Sequence, residues 1–449
     1  MNRNAQRLGR LLHPSVLRRD LWDELNPQLP RTLWMYEAGA AVSAFGKGMT
    51  LPFILIYLHN VRGFSLGLAG VVAAAYAAAS FFGSLGGGAL ADRAGAKLVM
   101  VGALVATGGG YGWFAFVEHP PEAFAAIAIA GLGNGAFLPG QSATIANLAG
   151  RARRHGAYAV QRAADNLGIG LGATVGGLIA VTSDPLTFTV LFVLNGTAAL
   201  LFALLIVVLP LRTSPEDTPA AVSVSEQPAR YREVFRQRLI LQVIALNTLY
   251  VIGGYALLET ALPVFAKNTA GVAEHGIGII FLANTLGVVL LQLPIARLSE
   301  GRRRLGVLAV MSIGWCAIWA GVLFSGIWLE GSAALAAFIV AVAVFAAGEC
   351  CLALVSVLIA DLAPPQLRAR CLSLIPCSYA IGFTLGPALA GFTMQVSSFA
   401  IWPIGIGLLA IAAGGGLLVE RRLPQEVRVT PERERSTQAA RLREARAAV

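Results

Sequence analysis

Apolar runs long enough to cross a bilayer recur along almost the whole chain, and nothing else in the sequence limits the fold as strongly. A transmembrane helix needs ~20 mostly apolar residues. By that measure the N-terminal half gives spans at 34–58, 65–91, 97–117, 123–148, 157–182 and 186–210. The C-terminal half gives 239–266, 275–298, 304–328, 333–361, 371–395 and 399–419. Charged residues make up only 13% of the chain, where a soluble domain carries about 25%. The expectation is an all-α membrane protein of twelve transmembrane helices.

The two sets of six flank 211–238, a stretch rich in Pro, Ser, Glu and Arg. The chain therefore divides into an N-terminal segment 1–33, a six-helix bundle 34–210, a linker 211–238, a second bundle 239–419 and a tail 420–449. Pro14–Leu25 and Ala229–Arg238 read as short amphipathic helices on the cytosolic side. The tail is charged and is expected to be loosely ordered. Residues 1–33 lack the apolar core of a signal peptide.

Orientation follows from arginine and lysine. One set of loops holds Arg93 and Lys97, Arg151 to Arg154, Arg212 to Arg238, Arg302 to Arg304, and Arg368 with Arg370. The opposite loops hold only Arg62 and Lys267. The alternation is unbroken, so both termini are expected in the cytosol of a multi-pass protein of the cell inner membrane. The net charge of +10 is mostly arginine, and the lysines are only Lys47, Lys97 and Lys267. A nucleic-acid partner would need a basic face on a soluble module, and none is visible. Phosphate loops, nucleophile elbows and zinc motifs are also missing from the sequence, so no enzyme, cofactor or metal is expected. Five cysteines, all in or beside apolar stretches, do not suggest a disulfide framework.

The halves repeat weakly. At an offset of 214, Arg154 falls on Arg368, Gly168 on Gly382, Gly172 on Gly386, Gly177 on Gly391 and Asn147 on Asp361. At an offset of 206, Gly95 falls on Gly301 and Lys97 on Arg303. Two parallel repeats about an axis normal to the membrane place a binding site near the midplane between them.

Within this frame Gly88-Ala-Leu-Ala-Asp92-Arg93-Ala-Gly95-Ala-Lys97 resembles the loop 2–3 signature of the major facilitator superfamily. Helix count, linker and repeat agree with it along the whole chain. Gly168-x-x-x-Gly172-Ala-Thr-Val-Gly176-Gly177 in span 5 is similar to the antiporter signature of the drug:proton antiporter (multidrug efflux) families, with Ala173 where those families carry proline. The matching stretch of span 11, Gly382-Phe-Thr-Leu-Gly386-Pro387, has the proline. The same glycines also read as plain helix packing, because they let backbones approach. Two departures stand out. Ala96 and Asn147 replace an arginine and an aspartate that pair in many members. Ile127–Gly135 of span 4 lacks the usual arginine. The resemblance implies alternating access, a small-molecule substrate, protons and a monomer. It also implies that Asp92, Arg93 and Lys97 latch loop 2–3 to the start of span 11 in the outward-open state.

Charges deep in the bilayer cost ~2.5–3.5 kcal/mol on insertion scales and are functional candidates by default. Lys47 lies near the midpoint of span 1, ~15 Å from either interface, too far to snorkel. Glu349 lies near the middle of span 10, with Ala346, Ala353 and Ser356 on its face. It is a candidate to pair with Lys47, carry a proton or hold a cationic substrate. Glu259 in the outer half of span 7 reads as a gate, a cation filter or a solvated carboxylate. Arg162 and Asp165 read as an intrahelical pair, either a clasp or a cytosolic gate. Glu37 reads as solvated near the cytosolic mouth. Tyr111, Trp113, Trp315, Trp319, Trp328 and Trp402 read mostly as interfacial anchors. The leading expectation is proton-driven efflux of small amphipathic compounds. The alternative is a proton-coupled or facilitative transporter of one polar metabolite, a sugar or an organic anion, to which Lys47 gives weight.

Overall fold

The structure, a computed structural model, describes residues 29–211 and 233–430. The expected helix at Pro14–Leu25, the linker from 212 to 232 and the tail from 431 lie outside the described residues. The described residues form helices, mostly α with short 3-10 and π turns, and one isolated β-bridge.

Ten helical rods are long and apolar enough to cross a membrane. They are α1 (Arg31–Val61), α2 (Leu66–Ala94), α4 (Pro120–Gly150), α6 (Pro185–Val208), α7 (Arg238–Asn268), α8 (Glu274–Leu298), α9 (Arg304–Trp328), α10 (Gly331–Leu362), α11 (Arg370–Val396) and α12 (Ile401–Glu420). Two more rods occupy the places of spans 3 and 5. One is α3 (Ala96–Phe114), diluted by its glycines and by Tyr111 and Trp113. The other is α5, residues 151–179, continuous with α4 except at Gly150, where φ is 67°. Only glycine takes that conformation cheaply. Gly95 (φ 88°) and Gly301 (φ 69°) turn the chain in the same way between α2 and α3 and between α8 and α9, which explains the 206-residue repeat.

The rods pack through glycine. A Cβ built on Gly168 would sit 2.8 Å from the Ala41 carbonyl, and one on Gly176 would sit 2.5 Å from that of Met49. Gly172 faces the Phe45 carbonyl in the same stripe. The antiporter-like glycines thus hold α5 against α1, backbone to backbone. Gly382 and Gly386 seat α11 against the side chains of Val251 and Ala256 of α7.

Two expectations about the ends change. Of the helix expected at 229–238, Glu233 and Val234 are helical among the described residues, and a turn separates them from Arg238, where α7 begins. After Glu420 the chain does not leave the bundle at once. A short helix α13 (Gln425–Arg428) leads to Thr430, which exchanges backbone hydrogen bonds of 2.9 Å with Gly301 and Arg302.

The ion pair that is missing from the N-terminal half exists in the C-terminal one. Arg304 Nη2 lies 2.7 Å from Asp361 Oδ2, at the position equivalent to Asn147. Arg304 is 1% exposed, and its Nε and Nη1 have no hydrogen-bond partner. Removing one partner of a buried pair costs about 3–5 kcal/mol, and the half-exposed Asp361 brings the expectation to the lower end. Asp361→Ala should therefore lower the thermal midpoint by several degrees, and adding Arg304→Met should recover most of it. An unchanged midpoint in Asp361→Ala would show that water satisfies Arg304. In the N-terminal half the corresponding work falls to Lys97, whose Nζ donates to the Val207 and Leu209 carbonyls at 2.9 Å each. A cation there meets the free carbonyls that end α6.

Candidate functional site

The distortions of α1 and α7 shape the centre. Each rod contains π-helical turns, Tyr57–Val61 in α1 and Val251–Tyr255 with Leu257–Ala261 in α7. In α7 the cause is local. Pro263 has no N–H for the carbonyl of Glu259, so the turn carrying Glu259 widens.

Within the N-terminal half, a cavity of about 120 Å³ is lined by Lys47, Asp165, Asn134, Gln141 and Asn195, with the rings of Tyr76 and Tyr111. Asp165 accepts a hydrogen bond from Gln161 Nε2 at 2.6 Å, so the expected Arg162–Asp165 pair does not form. A shorter, uncharged amide four residues away reaches the carboxylate, and Arg162 is exposed on the side that faces Glu349. Lys47 is the charged neighbour of both Asp165 and Glu259. Among the described residues, however, no carboxylate lies within ion-pairing distance of Lys47.

Glu349 belongs to the C-terminal half. It is 7% exposed and accepts a hydrogen bond from Asn284 Nδ2 at 3.2 Å. It does not pair with Lys47. Its nearest cationic influence is Arg162 across the interface, and Glu259 is a further neighbour. Beside it stands an aromatic cluster. Tyr255 lies 6.2 Å from both Trp315 and Tyr379 and 6.4 Å from Phe345 and Phe383, and Trp315 stacks on Phe345 at 4.1 Å. The rod is locally distorted at Leu352, and Ala353 and Ser356 are exposed where Glu349 is buried, so they do not share its surroundings.

Several expectations fail on burial. Glu37 is not solvated: it is 2% exposed and neither oxygen has a hydrogen-bond partner. Trp315, Trp319, Trp402 and Tyr111 are core residues, and only Trp113 and Trp328 of the supposed anchors are exposed. Trp319 Nε1 donates to the Gly253 carbonyl at 2.7 Å, which secures it inside.

The halves meet toward the face with few arginines. There Gly67 N–H donates to Gln395 Oε1 at 3.1 Å, and Asn60 donates to Asn268 at 2.9 Å. Glu274 of α8 takes the Lys267 ammonium at 2.9 Å and the Thr182 N–H at 3.0 Å. Gly170 and Gly177 of α5 pack on Thr285 and Glu274 of α8, and Gly70 of α2 packs on Pro387 and Gly391 of α11. On the Arg-rich face Asp92 and Arg93 are exposed. A Cβ on Gly88 would meet nothing within 4 Å. The loop signature is thus not a latch in this conformation, which is closed at the opposite face.

Asn284, Gln141, Asn134, Tyr379 and Gly170 escaped the sequence reading. The first three are uncharged amides in apolar rods. The depth argument that singles out charges would have found them had it been extended to amides.

The family model described as Major Facilitator Superfamily matches residues 38–273 and 244–448. The chain is 26% identical over 357 residues to the MFS-type transporter YhjO of Bacillus subtilis (strain 168), covering 79% of this chain and 84% of that one. It is 27% identical over 383 residues to a Na(+), Li(+), K(+)/H(+) antiporter of Planococcus maritimus, covering 76% and 84%. Among solved structures, the nucleoside transporter NupG superimposes with a TM-score of 0.70 at 16% identity, over 87% of this chain and 99% of that one. A bacterial homolog of the lysosomal transporter Spinster, inward-facing and occupied, gives 0.71 at 13% identity, over 89% and 98%.

Proposed function

Since this chain belongs to the Major Facilitator Superfamily and is a membrane transporter, we propose that it exchanges protons for small amphipathic cations and exports them by alternating access. We count α3 and α5 as spans. That makes twelve passes in two six-helix bundles, 34–210 and 239–419, with the Arg-rich face and both termini in the cytosol of the inner membrane.

The observation that carries this reading is Glu349 beside its aromatic cluster. A lone carboxylate at that depth is costly. Either a proton or a cationic substrate removes the cost, and the two compete for one group. Aromatic faces attract cations by about 0.5–2 kcal/mol and tolerate many shapes. Arg162 and Lys47 of one half face Glu349 and Glu259 of the other without closing an ion pair among the described residues. The central charges are therefore left free to respond to a ligand. The Planococcus relative is, by its name, also an antiporter of cations and protons.

A second reading rests on Lys47. It has no ion-pair partner among the described residues and lines a cavity that it shares with three amides, the hydroxyls of Tyr76 and Tyr111, and the carboxylate of Asp165. Such a site suits an anionic or hydroxylated metabolite.

The test is substrate-induced movement of a trapped pH dye in proteoliposomes, across lipophilic cations, alkali cations, sugars and organic anions. Lipophilic cations should shift the dye, and sugars and anions should not. Silence with every cation, together with an anion response lost in Lys47→Ala, would replace the first reading by the second.

A further inference from the structure

A cavity larger than the one around Lys47 is not central. It is a lateral groove of about 630 Å³ between the end of α8, the first two thirds of α9 and the second half of α10. That volume suits a ligand of drug or lipid-chain size. Its wall is apolar, with Val307, Val310, Ile318 and Val344, and its mouth on the Arg-rich face holds Arg302 and Arg303.

Three features say what fits there. From Gly306 to Ile318 the wall runs ~18 Å along α9, about half of a ~30 Å hydrocarbon core, so it matches one leaflet. Its width comes from glycine, since a Cβ on Gly314 would meet nothing within 4 Å. Its mouth is cationic and loosely committed. Arg303 is 70% exposed and reaches only Glu420, at 3.9 Å, while Arg302 is in no ion pair among the described residues.

We infer that this groove binds an anionic phospholipid of the Arg-rich leaflet, with its phosphate on Arg302 and Arg303 and one acyl chain along Val310, Gly314 and Ile318. Basic pockets between transmembrane helices recognise such headgroups, and the apolar wall secures the chain. The protein's own tail is the competing occupant, because the chain passes Arg302 at Thr430. Residues 431–449 carry five arginines against three glutamates, so they do not complement that mouth. The site also touches the centre. Trp315 lines the groove and stacks on Phe345, in the aromatic cluster beside Glu349.

The experiment is thermal unfolding of the purified full chain in detergent, with phosphatidylglycerol or phosphatidylcholine added. Phosphatidylglycerol should raise the midpoint of the wild type by about 3 °C at saturation, and phosphatidylcholine much less. Gly314→Phe fills the groove and should abolish the response. Gly321→Phe, equally free of contacts but outside the groove, should keep it. Arg302→Gln with Arg303→Gln should reduce the phosphatidylglycerol response to the phosphatidylcholine level. A response that survives both groove variants overturns the assignment, as does an equal response to both lipids. A response seen only after truncation at Thr430 also overturns it, and assigns the groove to the tail.

Discussion

Leucine at Gly70 is expected to open the closed face of the transporter and to slow transport at least tenfold. Gly70 on α2 and Gly391 on α11 face each other across the two halves. A Cβ on Gly70 would fall on the Pro387 carbonyl and 3.1 Å from the Gly391 Cα, and one on Gly391 would fall on the Leu66 carbonyl. These obstacles are backbone, so no rotamer change relieves them. Overpacking of this kind costs about 1–3 kcal/mol, which is roughly a 5- to 150-fold shift between two states. Because the contact lies between halves, the cheapest relief is to separate them at the Arg-poor face, leaving each half folded. The readout is labelling of Thr285→Cys, 7% exposed at the contact with Gly170, by a membrane-impermeant maleimide from that side. Gly70→Leu should make it reactive. Gly172→Leu gives the contrast, since Gly172 meets the Phe45 carbonyl within one half and should fail to fold instead. Wild-type transport in Gly70→Leu, or a folded Gly70→Leu protein with Thr285→Cys still protected, would show that this contact does not gate.

These glycines also mark what the sequence could and could not convey. The run of Gly168, Gly172, Gly176 and Gly177 read as an antiporter-like signature or as plain helix packing, and hydropathy identified the rods. Gly95 and Gly301 were visible as a repeat because one backbone conformation is needed at both turns. Spacing could not say which neighbour a face meets. Gly170 and Gly177 sit in the same motif yet pack on α8, and only the three-dimensional arrangement separates the two roles. Partner choice was equally hidden. Asp165 takes Gln161 rather than Arg162, and Glu349 takes Asn284 rather than Lys47, because reach and orientation decide and charge alone does not. Distance from a span end suggested a solvated Glu37, but the packing of α1 buries it. The resemblance placed Asp92 and Arg93 in a latch that belongs to the opposite conformation, and a sequence does not specify which conformation is populated.

Glu349→Gln is the second large effect, and it separates coupling from binding. Glutamine keeps the shape of the side chain and an oxygen that can accept the Asn284 N–H, now at 3.2 Å. It removes the ability to gain or lose a proton and to neutralise a cation. If Glu349 carries the proton, a pH gradient should drive less than a tenth of wild-type transport in the variant. Transport that remains should be insensitive to pH. Exchange of labelled for unlabelled substrate without a gradient should persist, weakened by the lost charge, because the cluster of Tyr255, Trp315, Tyr379 and Phe383 is untouched. Asn284→Ala should behave differently. It leaves the carboxyl able to titrate but without its partner, so pH-driven transport should weaken and keep its pH dependence. Glu259→Gln controls for the neighbouring carboxyl. A Glu349→Gln protein that still transports at the wild-type rate under a pH gradient would move the proton to Glu259 or to Asp165, and the Glu259→Gln variant would then decide between the two halves.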